Sequence, residues 1–391
     1  MSRPSARWTR TAALVAVLTA ALAGALSAPA NARPYVPKSD GQVLAELPAG
    51  AHHAELTARR MASGRLDVAV PLAQFYIQQA RSTGDLRFLG YAEAVLAPWV
   101  APNSSAPAAL VLQATIQQSR HEFDAALTTL DRVFSRRRED PQAWLTRATI
   151  LRVQGRYALG VAACEEFGRS ADRAVASICR QSLRGLNGHL QSAYDTLAQD
   201  PAQGLLDPER AWRDSELGEM AVRLGRDAEA ERWFLEELAL LPHDFYVRAA
   251  YADLLLRQHR PAQVLALLKG QGSIEPLLLR MVIAERQLHD PHLAQDRMQL
   301  EAAFGAEAER GEPVHRREQA RFLLEVASQP RAALAVALTN WQVQREPDDA
   351  LVLVNAARAV GELHQAAPAL EFLRDQGVLD ARLGIDTAAP T

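Results

Sequence analysis

The stretch AWRDSELGEMAVRLGRDAEAERWFLEELALLPHD, residues 211–244, carries the pattern from which the fold follows. Trp212, Leu217, Ala221 and Leu224 recur at helical spacing, and Ala230 and Phe234 recur at helical spacing beyond Gly225. Two amphipathic segments separated by a glycine read as two helices folded back on each other, because glycine takes the backbone conformation that ends a helix. Gly218 is expected to face Ala230, so that two small residues let the helices approach closely. Phe234 is expected to fill the space between hairpins, and Pro242 to close the unit.

Outward from this unit, the prolines set a period. They stand at 107, 141, 208, 242, 276, 313 and 347, with gaps of 34, 67, 34, 34, 37 and 34. The 67 is two units whose shared proline is missing near Val175. An acid precedes Pro141, Pro208, Pro276, Pro313 and Pro347. That suits helix starts, where proline's missing N–H costs nothing and a negative charge complements the helix dipole. The outline recurs as Trp144, Ala148, Gly155-Arg156-Tyr157, Gly160 and Phe167. Looser copies are Leu110, Ala114, Phe123, Ala126 and Leu130; Tyr251-Ala252, Val264 and Leu268; Phe322 and Ala335; and Ala356-Ala357, Ala369 and Phe372. Degenerate copies are expected at 70–104, 174–207 and 279–315. The last has three extra residues and so predicts a longer helix or a different turn.

A 34-residue helix–turn–helix in register over roughly 300 residues resembles the tetratricopeptide-repeat (TPR) family. The resemblance implies an all-α, right-handed superhelical solenoid of about nine antiparallel helix pairs, as in an exported bacterial member of that family. The first helix of each pair would line a concave groove.

Composition agrees with helices. Of 391 residues 48% are hydrophobic and only 6% aromatic, with Ala and Leu abundant, which disfavours a β-sandwich or barrel. A formal charge of −3 excludes a protein built to neutralise a nucleic-acid backbone. Arg3, Arg7 and Arg10 precede an apolar run from Ala12 to Ala28 and the small-residue site Ala30-Asn31-Ala32. This predicts a signal peptide over 1–32, cleaved after Ala32, and a periplasmic or secreted product. Residues 33–69 then form a leader and N-terminal cap, 70–207 and 208–383 the two halves of the repeat array, and 384–391 a tail. The loop Asp200-Pro201-Ala202-Gln203-Gly204 marks a joint or a change of pitch between the halves. No later stretch is apolar enough to span a membrane.

Cys164 and Cys179 lie equidistant from a predicted turn, so they form either a disulfide or two separately buried small hydrophobes. The histidines do not converge. His52-His53 falls in the leader, and His289-Asp290-Pro291-His292 in a turn without ligand spacing, so no metal and no cofactor is expected. Arg136-Arg137-Arg138 suits the last turn of a helix. No nucleophile elbow, phosphate-binding loop, dinucleotide fingerprint or zinc-protease motif occurs, and no enzyme is expected.

The resemblance places Gln142, Arg152, Trp212, Glu219, Arg223, Tyr246, Asp253, Arg257, Arg280, Gln287 and Arg358 on the groove. Trp212 and Tyr246 stand 34 residues apart, as do Arg223 and Arg257, and Glu219 and Asp253. The aromatics are expected to anchor a protein or peptide, acidic partners included, and the arginines to steer it. The competing reading makes Glu219–Arg223 and Asp253–Arg257 ordinary pairs one turn apart on a solvated face. Three functions compete: an exported scaffold or adaptor, a component of a cell-envelope assembly or polysaccharide secretion machine, and an unrecognised enzyme.

Overall fold

The computed structural model describes Arg59, Met61, Ala62 and residues 64–101, 106–200, 202–310 and 315–384. The expected signal peptide, most of the leader and all of the tail but Gly384 lie outside the described residues. Among those described there are eighteen α-helices and no strand. They are α1 Leu66–Thr83, α2 Arg87–Val100, α3 Pro107–Ser119, α4 Phe123–Phe134, α5 Pro141–Val153, α6 Tyr157–Phe167, α7 Arg173–Arg184, α8 Leu190–Gln199 and α9 Asp207–Arg223. There follow α10 Asp227–Leu240, α11 Phe245–Arg257, α12 Pro261–Leu267, α13 Glu275–Leu288, α14 Leu293–Arg310, α15 Arg316–Glu325, α16 Pro330–Trp341, α17 Pro347–Ala359 and α18 Ala367–Asp375. Each odd helix pairs with the even helix after it, and neighbouring pairs pack on one another.

The pair turns explain the repeat. Every one of the nine carries a residue with positive φ: Gly84, Gly155, Gly188, Gly225 and Gly361, and, where glycine is absent, His121, His259, His289 and Ser328. Three of the chain's histidines are thus turn residues. The acids before the prolines divide in role. Asp140 caps α5 by accepting from the Ala143 N–H at 3.0 Å. Glu346 instead has its own N–H capped by Asp349, at 3.0 Å, and its carboxylate turns elsewhere.

Close approach at Gly218 is taken up by the Phe234 ring: a Cβ on this glycine would lie 2.3 Å from Cε1 of Phe234. The three extra residues of the irregular unit go into α14, which runs for 18 residues.

One hydrophobic core extends from Leu145 to Leu383, passing through residue 207 without a break. Arg213 of α9 ties that junction, donating to the carbonyls of Leu197 and Ala198, each at 3.2 Å. Separate cores lie under α1–α3 and under α3–α5. The second half of the chain also returns onto the first. The Arg345 N–H donates to Val153 O at 2.8 Å, and the Tyr157 hydroxyl to Arg345 O at 2.6 Å. Gln344 meets His121 at 2.7 Å, and Phe372 lies over Gly155, where a Cβ would approach its ring to 2.6 Å.

Cys164 on α6 and Cys179 on α7 are joined as a disulfide, with Cα atoms 5.6 Å apart and both residues buried. Closing a loop of 15 residues contributes about 3 kcal/mol in the chain-entropy model. Reduction is therefore expected to lower the urea midpoint markedly, and unreduced, unfolded protein to show no titratable thiol. Two thiols under those conditions would refute the bridge.

Candidate functional site

The odd helices α5, α9, α11, α13, α15 and α17 turn toward a common interior, and the returning N-terminus of α17 meets the C-terminus of α5 there. Arginines spaced by the repeat are thus brought against acids from distant units. Arg152, at the end of α5, is buried and surrounded by three carboxylates: Glu216 at 2.6 Å, Glu219 at 3.0 Å and Glu346 at 3.2 Å. Arg317 of α15 lies 3.6 Å from Asp349, and Arg382 binds Asp348 and Asp380. Further along, Arg280 and Arg321 hold Asp253 at 2.7 and 2.9 Å.

Burial and pairing set the protonation of these acids in opposite senses. Burial pushes Glu346 up to about 8 and Glu219 up to about 7, the attraction of Arg152 only partly opposing it. At Asp348, which is half exposed, and at Asp253 the crowding of the surrounding chain is outweighed by the arginines: Arg382 and Arg317 hold Asp348 well below the usual carboxylate range, and Arg280 and Arg321 lower Asp253.

Beside this network an open cleft of about 370 Å³ lies between α11, α13, α15 and α17. Phe245, Tyr246, Ala249, Ala250, Leu351 and Val352 give it apolar walls, while Asn355, Gln287, Arg257, Arg280 and Arg321 supply polar groups. Neither the Asn355 nor the Gln287 amide bonds to another described side chain. The volume is at the lower end of ligand-binding pockets, roughly 300–1,000 Å³.

The residues singled out in the sequence fall in different places. Tyr246 lines the cleft, partly buried, while Arg152 and Glu219 line a separate, smaller pocket that shares Tyr246, Arg317, Asp348 and Arg382 with it. Trp212 is only 6% exposed; its indole N–H donates to Glu216 at 3.1 Å, so it braces the Arg152 network and presents no surface to a partner. Arg223 is likewise buried and donates to Gly185 O at 2.8 Å, which removes it as a steering charge. Arg257 stays at the cleft but binds Asp227 at 2.7 Å. Arg358 is exposed away from the cleft and donates to Leu383 O at 2.7 Å. Neither Glu219–Arg223 nor Asp253–Arg257 forms, because each acid is taken by an arginine from another helix pair. Glu216, Arg317, Arg321, Glu346, Asp348 and Arg382 were not legible as site residues; the acid before Pro347 was visible, but as a cap.

Compared with models of protein families and with curated proteins, the sequence matches none. No helix among the described residues is long and apolar enough to cross a membrane.

Proposed function

We propose that this chain is an exported, TPR-like helical-repeat solenoid that acts as a scaffold or adaptor, holding a segment of a protein partner in the cleft between α11, α13, α15 and α17. One observation carries the reading: an open cleft combines apolar walls with two amides, Asn355 and Gln287, that make no hydrogen bond to another side chain among the described residues. Amide side chains at an apolar floor are suited to a peptide, since they match backbone donors and acceptors while the floor takes side chains. The arginines of the cleft are already opposed by Asp253, Glu318 and Asp348, which favours a segment with an apolar anchor over a strongly acidic one.

Tyr246 replaces Trp212 as the expected anchor, because it lines the cleft and its hydroxyl makes no hydrogen bond among the described residues. A photoreactive residue at Leu351 is expected to crosslink one stoichiometric partner, and the same residue at Leu235, outside the cleft, to leave it uncaptured. Against the identified partner, Tyr246→Ala is expected to cost about 2 kcal/mol, roughly thirtyfold in affinity, as for a central aromatic anchor. Unchanged affinity in a variant of native helicity would move the site out of this cleft.

A further inference from the structure

One unit of the array is longer than the period, the one where the proline gap is 37 instead of 34. The excess lengthens α14 and carries Glu307, in its last turn, to the start of α13, where Glu275 is the first residue. His315, at the N-cap position of α15 with its side chain turned away from the helix end, completes the group. Its Nδ1 lies 2.8 Å from Glu307 Oε1 and 3.0 Å from Glu275 Oε1, and the three atoms are within 4.8 Å of one another. Glu307 and His315 are each 5% exposed.

An imidazole nitrogen carries one proton and so satisfies one acceptor. That proton goes to Glu307, and Glu275 Oε1 is left buried without a hydrogen bond although it faces the same nitrogen. Such an orphaned oxygen is costly in a protein interior, typically about 1–3 kcal/mol. The charges do not balance either. Two carboxylates against one imidazolium leave a negative excess, and the neighbouring arginines Arg280 and Arg317 are already matched to Glu318, a turn along α15. A dication with a neutral imidazole removes both defects at once: it serves all three donor atoms and cancels both carboxylates. Ligand atoms about 2.0–2.2 Å from a tetrahedral zinc lie roughly 3.3 Å apart, so the two nitrogen–oxygen distances of 2.8 and 3.0 Å need to open by only a few tenths of an ångström, and the carboxylate oxygens already lie within 4.8 Å of each other.

We propose that Glu275, Glu307 and His315 form a binding site for a divalent ion of the Zn2+ class, with water as fourth ligand, which pins α13, α14 and α15 together at the lengthened unit of the array. No metal is expected from the sequence, since ligands 32 and 8 residues apart match no metal motif. Carboxylate and imidazole ligands suit Zn2+ and its Co2+ surrogate, and the burial of the donors assigns the ion a structural role.

The test uses untagged, chelator-stripped full chain. Calorimetric titration is expected to show one Zn2+ per chain and a higher Tm, and Co2+ is expected to give the intense visible bands of tetrahedral coordination. Glu307→Gln and His315→Gln are expected to abolish the Co2+ bands and weaken Zn2+ by about 100-fold or more, beyond the effect of altering an outer-sphere residue. The control is His292→Ala, at the exposed turn where His292 Nδ1 meets Asp290 at 2.8 Å; it is expected to leave binding unchanged. No stoichiometric uptake, purely octahedral Co2+ spectra, or loss of binding in His292→Ala each overturns the proposal. Should both ligand variants fail to fold, the Co2+ spectrum of the wild-type chain and of His292→Ala still decides it.

Discussion

Arg152→Ala is expected to lower the unfolding free energy by about 3–5 kcal/mol, because removing one partner of a buried ion pair leaves its counter-charge stranded. Here the guanidinium serves three carboxylates from two distant helices, Glu216 and Glu219 on α9 and Glu346 before α17. Trp212 adds a fourth dependent, since its indole is anchored on Glu216. Without the arginine, Glu219 and Glu346, already displaced upward by burial, must take up protons to stay inside. Arg152→Lys is expected to recover only part of the loss: an ammonium is a point charge and cannot fork between three acceptors. The damage also has a location. Hydrogen exchange is expected to rise at the Arg345 amide, whose bond to Val153 O joins the two halves next to this cluster. Urea unfolding at neutral pH measures the first effect and exchange mass spectrometry the second. A variant with wild-type stability and unchanged exchange at Arg345 would show that the network does not hold the halves together.

The helix pairs were readable because their signals are local. Proline at a helix start, glycine at a turn and small apolar residues at helical spacing act within a few residues of themselves, so Gly155 and Gly225 stand where the pattern put them. Even there, His121, His259 and His289 take the same left-handed position with a side chain that suggests chemistry, not a turn. The interior was not readable for a different reason. Arg152 meets Glu216, 64 residues on, and Arg321 meets Asp253, 68 residues back. Both separations are about two repeats, so the partner lies on the next odd helix but one, and helix rotation decides which acid arrives. Sequence spacing favoured Arg223 and Arg257 as a line along the groove. The return of the C-terminal segment buried Arg223 under Asp380 and left Arg257 at the rim. The tertiary closure thus altered roles that the repeat alone made equivalent.

Glu237 is the position where changing one proton is expected to reshape the pH dependence of the whole chain. It lies on α10 with 0% exposure, and neither carboxylate oxygen has a hydrogen-bond partner. Burial, with added repulsion from Asp244 and Asp214, pushes it from 4.5 up to about 9. A carboxyl raised in this way is protonated in both folded and unfolded chains below pH 4.5, where it costs nothing. As the pH rises, the unfolded chain releases that proton freely while the folded chain keeps it. Stability therefore falls by about 1.4 kcal/mol per pH unit until the folded group itself ionises. By pH 7 this one residue has removed about 3 kcal/mol, from a shift of the folded pKa to about 9. Glu237→Gln keeps the shape and has no proton to hold. It is expected to be the more stable protein at pH 8, with the advantage shrinking steadily as the pH is lowered toward 5. Other raised acids, such as Glu346 and Asp244, slope the two curves alike and cancel in their difference. Urea midpoints of both proteins at pH 5, 6, 7 and 8 make the comparison, and the slope is the quantity to read, because the buried amide carries an unmet hydrogen-bonding cost that is independent of pH. Parallel curves would mean that Glu237 is ionised and paired in the folded protein, contrary to its surroundings.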